Sequence, residues 1–124
     1  MLASICTGRN GLRTALLGLA LTASGTARSY PGNCLLQVNG RTYLESVCNI
    51  DGNPAEGSFS IGTGEHTRSK FFAYVNIEPD GTAQGYWNGA SAESHADEEL
   101  GRLVRQGECW VNDQARVCAS GRRR

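Results

Sequence analysis

An all-β antiparallel meander, forming a small barrel or sandwich and stapled by two disulfides, is the fold the sequence predicts. Three observations carry it. Helix signals nearly vanish after residue 27. The chain of 124 residues holds sixteen glycines, and NG and DG dipeptides separate short β-branched and aromatic runs. Four cysteines remain after residue 27, Cys34, Cys48, Cys109 and Cys118. An even number in a small exported domain reads as two bridges.

Export is expected from the N-terminus. Arg9 and Arg13 form a basic start, residues 15–23 a short apolar run, and residues 23–27 a small-residue segment that suits signal peptidase. Cleavage is expected after Ala27, with the bond after Gly25 as second choice. The apolar run is far short of the roughly 20 residues of a membrane-spanning helix, and no other stretch approaches that length. The organisation is therefore a signal peptide over 1–27 and a single β domain over 28–124. Cys6 leaves with the signal. The domain keeps ten basic against twelve acidic residues, a net charge of −2, so nothing attracts nucleic acid over long range. The tail Arg122-Arg123-Arg124 reads as a solvated terminus.

Eight strands are expected, near 34–38, 41–47, 58–62, 71–78, 82–88, 101–105, 108–112 and 115–119. The polar segment 91–100 reads as loop. In the hairpin from Phe71 to Asn88, Glu78-Pro79-Asp80-Gly81-Thr82 suits a type I turn with Gly81 left-handed, which pairs Glu78 with Thr82. One face then carries Ile77/Ala83, Val75/Gly85 and Ala73/Trp87, with Phe71 beyond. The other carries Asn76/Gln84 and Tyr74/Tyr86, with Phe72 beyond. A slip of one residue would destroy this separation. Trp87 and Trp110 are assigned to the core.

The two ends of the domain look alike: a cysteine, a strand, a Val-Asn-Gly/Asp turn, a return strand and Val-Cys. A turn at Asp113-Gln114 puts Cys109 directly opposite Cys118, within disulfide range. An Asn39-Gly40 turn puts Cys34 opposite Glu45, so reaching Cys48 needs a bulge, expected near Ser46. Cys34–Cys48 and Cys109–Cys118 are favoured, though four cysteines permit three connectivities and crossed pairings stay open. Zinc would need paired CxxC or Cys/His spacing, and the intervals do not match.

The strings CLLQVNGRTYLESVCNI, GSFSIGTGE, FFAYVNIEPDGTAQGYWNG and CWVNDQARVCA resemble a group of small exported bacterial proteins of no assigned activity. The resemblance covers most of residues 34–119. It implies export and a compact cysteine-containing domain, and carries no catalytic residues.

Chemistry is sparse. His66 and His95 both lie in polar loop sequence, outside a nucleophile elbow or an HExxH helix. The contiguous Asp97-Glu98-Glu99 run lacks the alternation of a calcium loop. No carboxylate pair stands out for glycoside hydrolysis, and no phosphate loop or dinucleotide fingerprint occurs, so no cofactor is expected. The aromatic-polar face is the candidate binding surface: Phe72, Tyr74, Asn76, Gln84 and Tyr86, with rings to stack and amides to bond. Against it stands burial of that face beneath a second sheet or loop. The expected function is a non-catalytic binding or interaction module whose partner is an exported protein or a glycan. An inhibitor of an envelope or secreted hydrolase is one form of it. The alternatives are a small secreted hydrolase using His66 or His95, and a structural envelope protein without a specific ligand.

Overall fold

Eight antiparallel strands follow one another around a closed barrel in a computed structural model that describes residues 28–121. The proposed signal peptide and the tail Arg122–Arg124 lie outside the described residues. The strands are β1 (Ser29–Val38), β2 (Arg41–Gly52), β3 (Phe59–Ile61), β4 (Ala73–Ile77), β5 (Ala83–Trp87), β6 (Glu98–Gln106), β7 (Cys109–Val111) and β8 (Ala115–Gly121). Every one of the eight expected strands is present. Closure comes from β1 pairing with β8, in register from Val38↔Ala115 to Gly32↔Gly121. This pairing removes the open edges that a sandwich of the same strands would leave. β3, β4, β5 and β7 have three to five residues each, well short of the roughly 9–11 that cross a bilayer.

Side chains alternate between a filled interior and an outer surface, as the period of a strand requires. Cys34, Leu36 and Val38 of β1, Ala73 and Val75 of β4, and Ala115, Val117 and Ala119 of β8 all point inward and are buried. The β4–β5 hairpin has the expected register in full, from Ala73↔Trp87 to Ile77↔Ala83. Its turn is closed by Glu78 N–H donating to the Thr82 carbonyl at 2.8 Å, with Gly81 at a φ of +90°. Gly85 faces the axis because a side chain would not fit: a Cβ there would lie 2.7 Å from Leu103 Cδ1. Trp87 and Trp110 are both in the core.

Two bulges break the alternation, and both correct the sequence reading. On β2, Leu36↔Leu44 is followed by Gln37↔Thr42, so the extra residue is Tyr43 rather than one near Ser46. The offset turns the Tyr43 ring onto Phe71 and Trp87, with centroids 5.0 and 4.6 Å away. On β6, Gly85↔Gly101 is followed by Tyr86↔Glu99, leaving Leu100 extra. Leu100 is fully buried, and Gly101 takes a φ of +88° to place it. Residues 98–100, read as loop, therefore begin β6. Their two glutamates hid a strand whose third side chain enters the core.

The disulfides are Cys34–Cys48 and Cys109–Cys118. The first is diagonal: Cys34 lies opposite Ser46, Cys48 lies opposite Gly32, and both sulfurs are inside the barrel. The second joins directly opposed residues on the outer surface. Both fit an oxidising environment. Each closes a short loop, so opening either is expected to cost about 2–3 kcal/mol. Cys109→Ser/Cys118→Ser should lower the unfolding free energy by that amount in a denaturant melt whose slope is fitted freely, because opening the loop lets the unfolded chain expand. A cost near zero would mean that β7–β8 pairing alone holds the turn.

Candidate functional site

The outer face of β4–β5 is open to solvent, because a single closed barrel turns that side of each strand outward. The pairings draw a row across it. Ser60 of β3 faces Tyr74, Tyr74 faces Tyr86, and Tyr86 faces Glu99 of β6. A second row runs Asn76, Gln84 and Arg102. Tyr74 is 41% exposed, Asn76 is exposed, and Tyr86 and Gln84 are half-buried. Four of the five expected residues therefore share an accessible surface.

Phe72 is the exception. It is 3% exposed, with the Arg68 guanidinium 5.1 Å from its ring centroid and Tyr74 edge-on at 6.4 Å. Arg68 also donates to the Ser94 carbonyl at 3.3 Å, tying the 62–72 loop to the 88–97 loop. Phe72 thus packs edge-on beside Tyr74 with Arg68 over its ring, and offers no ring to a ligand.

Beyond Gln84 the surface dips into an open hollow of about 320 Å³ lined by Glu78, Pro79, Asp80, Thr82, Gln84 and Arg102. Asp80 organises it. Its Oδ1 accepts from the Thr82 hydroxyl at 2.6 Å and the Thr82 amide at 2.9 Å, while Oδ2 accepts from Arg102 Nη2 at 2.7 Å. The Thr82 hydroxyl first, then its amide and the Arg102 charge, hold the Asp80 carboxyl below its usual value of 3.8. A depressed carboxylate contributes stability above its unfolded value, and that contribution is lost as pH falls through the folded one. The Thr82 amide resonance should therefore titrate with a midpoint below 3.8. Thr82→Ala and Arg102→Ala should each raise the Asp80 midpoint. A midpoint that neither change moves would mean that these bonds do not hold the carboxylate in solution.

Arg102, Asp80, Thr82 and Glu99 were missed by the sequence reading. Asp80 and Thr82 were read as turn chemistry only. Arg102 reaches this face through a register that crosses a ten-residue connection and the Leu100 bulge, which sequence alternation does not follow.

The other polar cluster is structural. Asp51 accepts from the hydroxyls of Thr63 (3.0 Å) and Ser29. Ser60 and Thr63 share a bond of 2.7 Å, and Asn49 Nδ2 donates to the Thr63 carbonyl at 2.9 Å. These bonds pin the 62–69 loop to β2 and β3. His66 projects into solvent, 92% exposed, with Glu65 3.9 Å away. His95 is exposed on the 88–97 loop. Among the described residues, no group of three or more His, Cys, Asp or Glu side chains is placed to hold a metal ion. The chain defines a disulfide-stapled, eight-stranded meander barrel with an aromatic-polar outer face. Comparison with family models, curated proteins and solved structures returns no match.

Proposed function

We propose that the chain is an exported, non-catalytic binding module that presents Tyr74, Tyr86, Asn76 and Gln84 to a partner in the periplasm or outside the cell. The observation that supports this most is the exposure of Tyr74 directly opposite the half-buried Tyr86 on the outer sheet face. An aromatic ring left in water on a rigid sheet is a contact ready for use, with little ordering entropy to lose on docking. The two disulfides and the closed barrel suit an extracellular scaffold. Inhibition of an envelope or secreted hydrolase is one form this binding takes.

Opposed aromatics on an open face contribute roughly 0.2–1 kcal/mol to a sheet. The double change Tyr74→Ser/Tyr86→Ser is therefore expected to cost no more than about 1 kcal/mol in a denaturant melt. It should abolish retention of the partner, whether captured from envelope extract or offered as purified glycan. A stability loss of about 3 kcal/mol or more would make the tyrosines part of the core and remove the site.

A further inference from the structure

Building on the β4–β5 face as a binding surface, we infer that it takes a neutral oligosaccharide, one sugar stacked on the Tyr74–Tyr86 pair and its neighbour held in the hollow bounded by Glu78, Asp80, Gln84 and Arg102. The juxtaposition carries the argument. Along the strands, the Asn76–Gln84–Arg102 row lies two residues from the tyrosine row, about 7 Å. The hollow adjoins that second row, sharing Gln84 and Arg102 with it. A ligand touching all three must be extended, with an apolar face for the rings and a dense edge of hydrogen-bonding groups. A pyranose chain has both: C–H faces pack on aromatic rings and hydroxyls line the edge.

The polar groups suit hydroxyls. Arg102 supplies donors, Glu78 and Asp80 supply acceptors, and the amides of Asn76 and Gln84 supply both. A hydroxyl both donates and accepts, so it can satisfy either kind. Thr82 and Arg102 already fix Asp80, which lowers the ordering cost of binding.

Charge selects among saccharides. Glu78, Asp80 and Glu99 outnumber Arg102 and the Arg68 beside Phe72 around the path, so a uronate or sulfated chain meets net repulsion. A protein partner fits less well. The large exposed apolar side chains, Val47, Tyr74 and Val104, stand on three different strands, β2, β4 and β6. Protein interfaces centre on a contiguous apolar core.

The test is an amide-resolved NMR titration of the oxidised protein with cellotetraose, chitotetraose and mannotetraose, and with a tetrauronate as the charged counterpart. At least one neutral tetrasaccharide should give saturable shifts centred on β4, β5 and Arg102. Tyr74→Ala should weaken it about tenfold, the scale of one lost stacking contact. Gln84→Ala should also weaken it, and Val47→Ser, on β2, should not. The inference is overturned if no neutral tetrasaccharide gives saturable shifts on this face, if Tyr74→Ala leaves binding unchanged, or if the tetrauronate binds more tightly. Suppose the sugars fail, but a purified envelope protein binds the wild type and not Tyr74→Ser/Tyr86→Ser. Then the saccharide is wrong and the binding face stands. Failure of both probes removes both.

Discussion

Trp87→Ala is expected to destabilise the barrel by about 3–5 kcal/mol, the range for deleting a large aromatic from a core. Trp87 is 4% exposed and belongs to the core. Its ring lies 4.6 Å from Tyr43 and 6.3 Å from Phe71, centroid to centroid. Its strand partner is Ala73, too small to fill the space that alanine at 87 would leave. Tyr43 cannot swing in freely, because the β2 bulge that aims it is set by the register around it. For a domain of this size the loss corresponds to a fall in melting temperature of at least about 12 °C. Trp110, on β7, remains as a fluorescent reporter in the variant. A cost under about 1 kcal/mol, far below that core range, would show that the core collapses around the deletion, and that Tyr43 and Phe71 are not held where the structure has them.

The same residues show what the sequence discloses. The β4–β5 hairpin was legible because two independent signals agree: the Pro79-Asp80-Gly81 turn sets a register, and that register sorts apolar from polar side chains. Cys109–Cys118 was legible for the same reason, since a tight turn makes the two cysteines face each other. Closure was not. A barrel and a sandwich share one inside-outside alternation, and only the long-range pairing of β1 with β8 separates them. The candidate site does not depend on that distinction, because in either architecture the apolar face with Ala73, Val75, Ala83 and Trp87 turns inward and the tyrosine face turns outward. Bulges were legible in kind but not in place. The cysteine spacing demands one on β2, yet its location follows from where Tyr43 finds aromatic partners, which no local pattern encodes. The buried clamp at Asn88 was not legible: the residue stood at the end of an expected strand, and its bonds to Phe72 and Lys70 reach a segment distant in sequence.

Asn88→Ala is expected to cost about 3 kcal/mol, although it deletes only a small polar side chain. Asn88 is 1% exposed. Its Oδ1 accepts from the Phe72 amide at 3.0 Å, and its Nδ2 donates to the carbonyls of Lys70 (2.9 Å) and Glu93 (3.0 Å). Its backbone adds bonds to Phe72 and Glu93. Ala92, at a φ of +56°, bends the 88–93 turn and immediately precedes Glu93. Alanine at 88 strands the buried Phe72 amide and two part-buried carbonyls, of Lys70 and Glu93, each worth roughly 1–3 kcal/mol when unsatisfied, less what water recovers at the two carbonyls. Asn88→Asp separates hydrogen bonding from size. The carboxylate keeps the acceptor for Phe72 but turns an oxygen toward two carbonyls. Burial and that repulsion raise its folded pKa above the unfolded value. Its penalty is therefore largest at neutral pH and shrinks as pH falls and the acid protonates. Denaturant melts of wild type and Asn88→Asp should differ by more at pH 7 than at pH 4. A gap that does not narrow would mean that solvent reaches the clamp. Because Phe72 hangs from this clamp and packs edge-on against Tyr74, loosening it should also increase the mobility of the Tyr74 ring, which ring-flip rates by NMR would register.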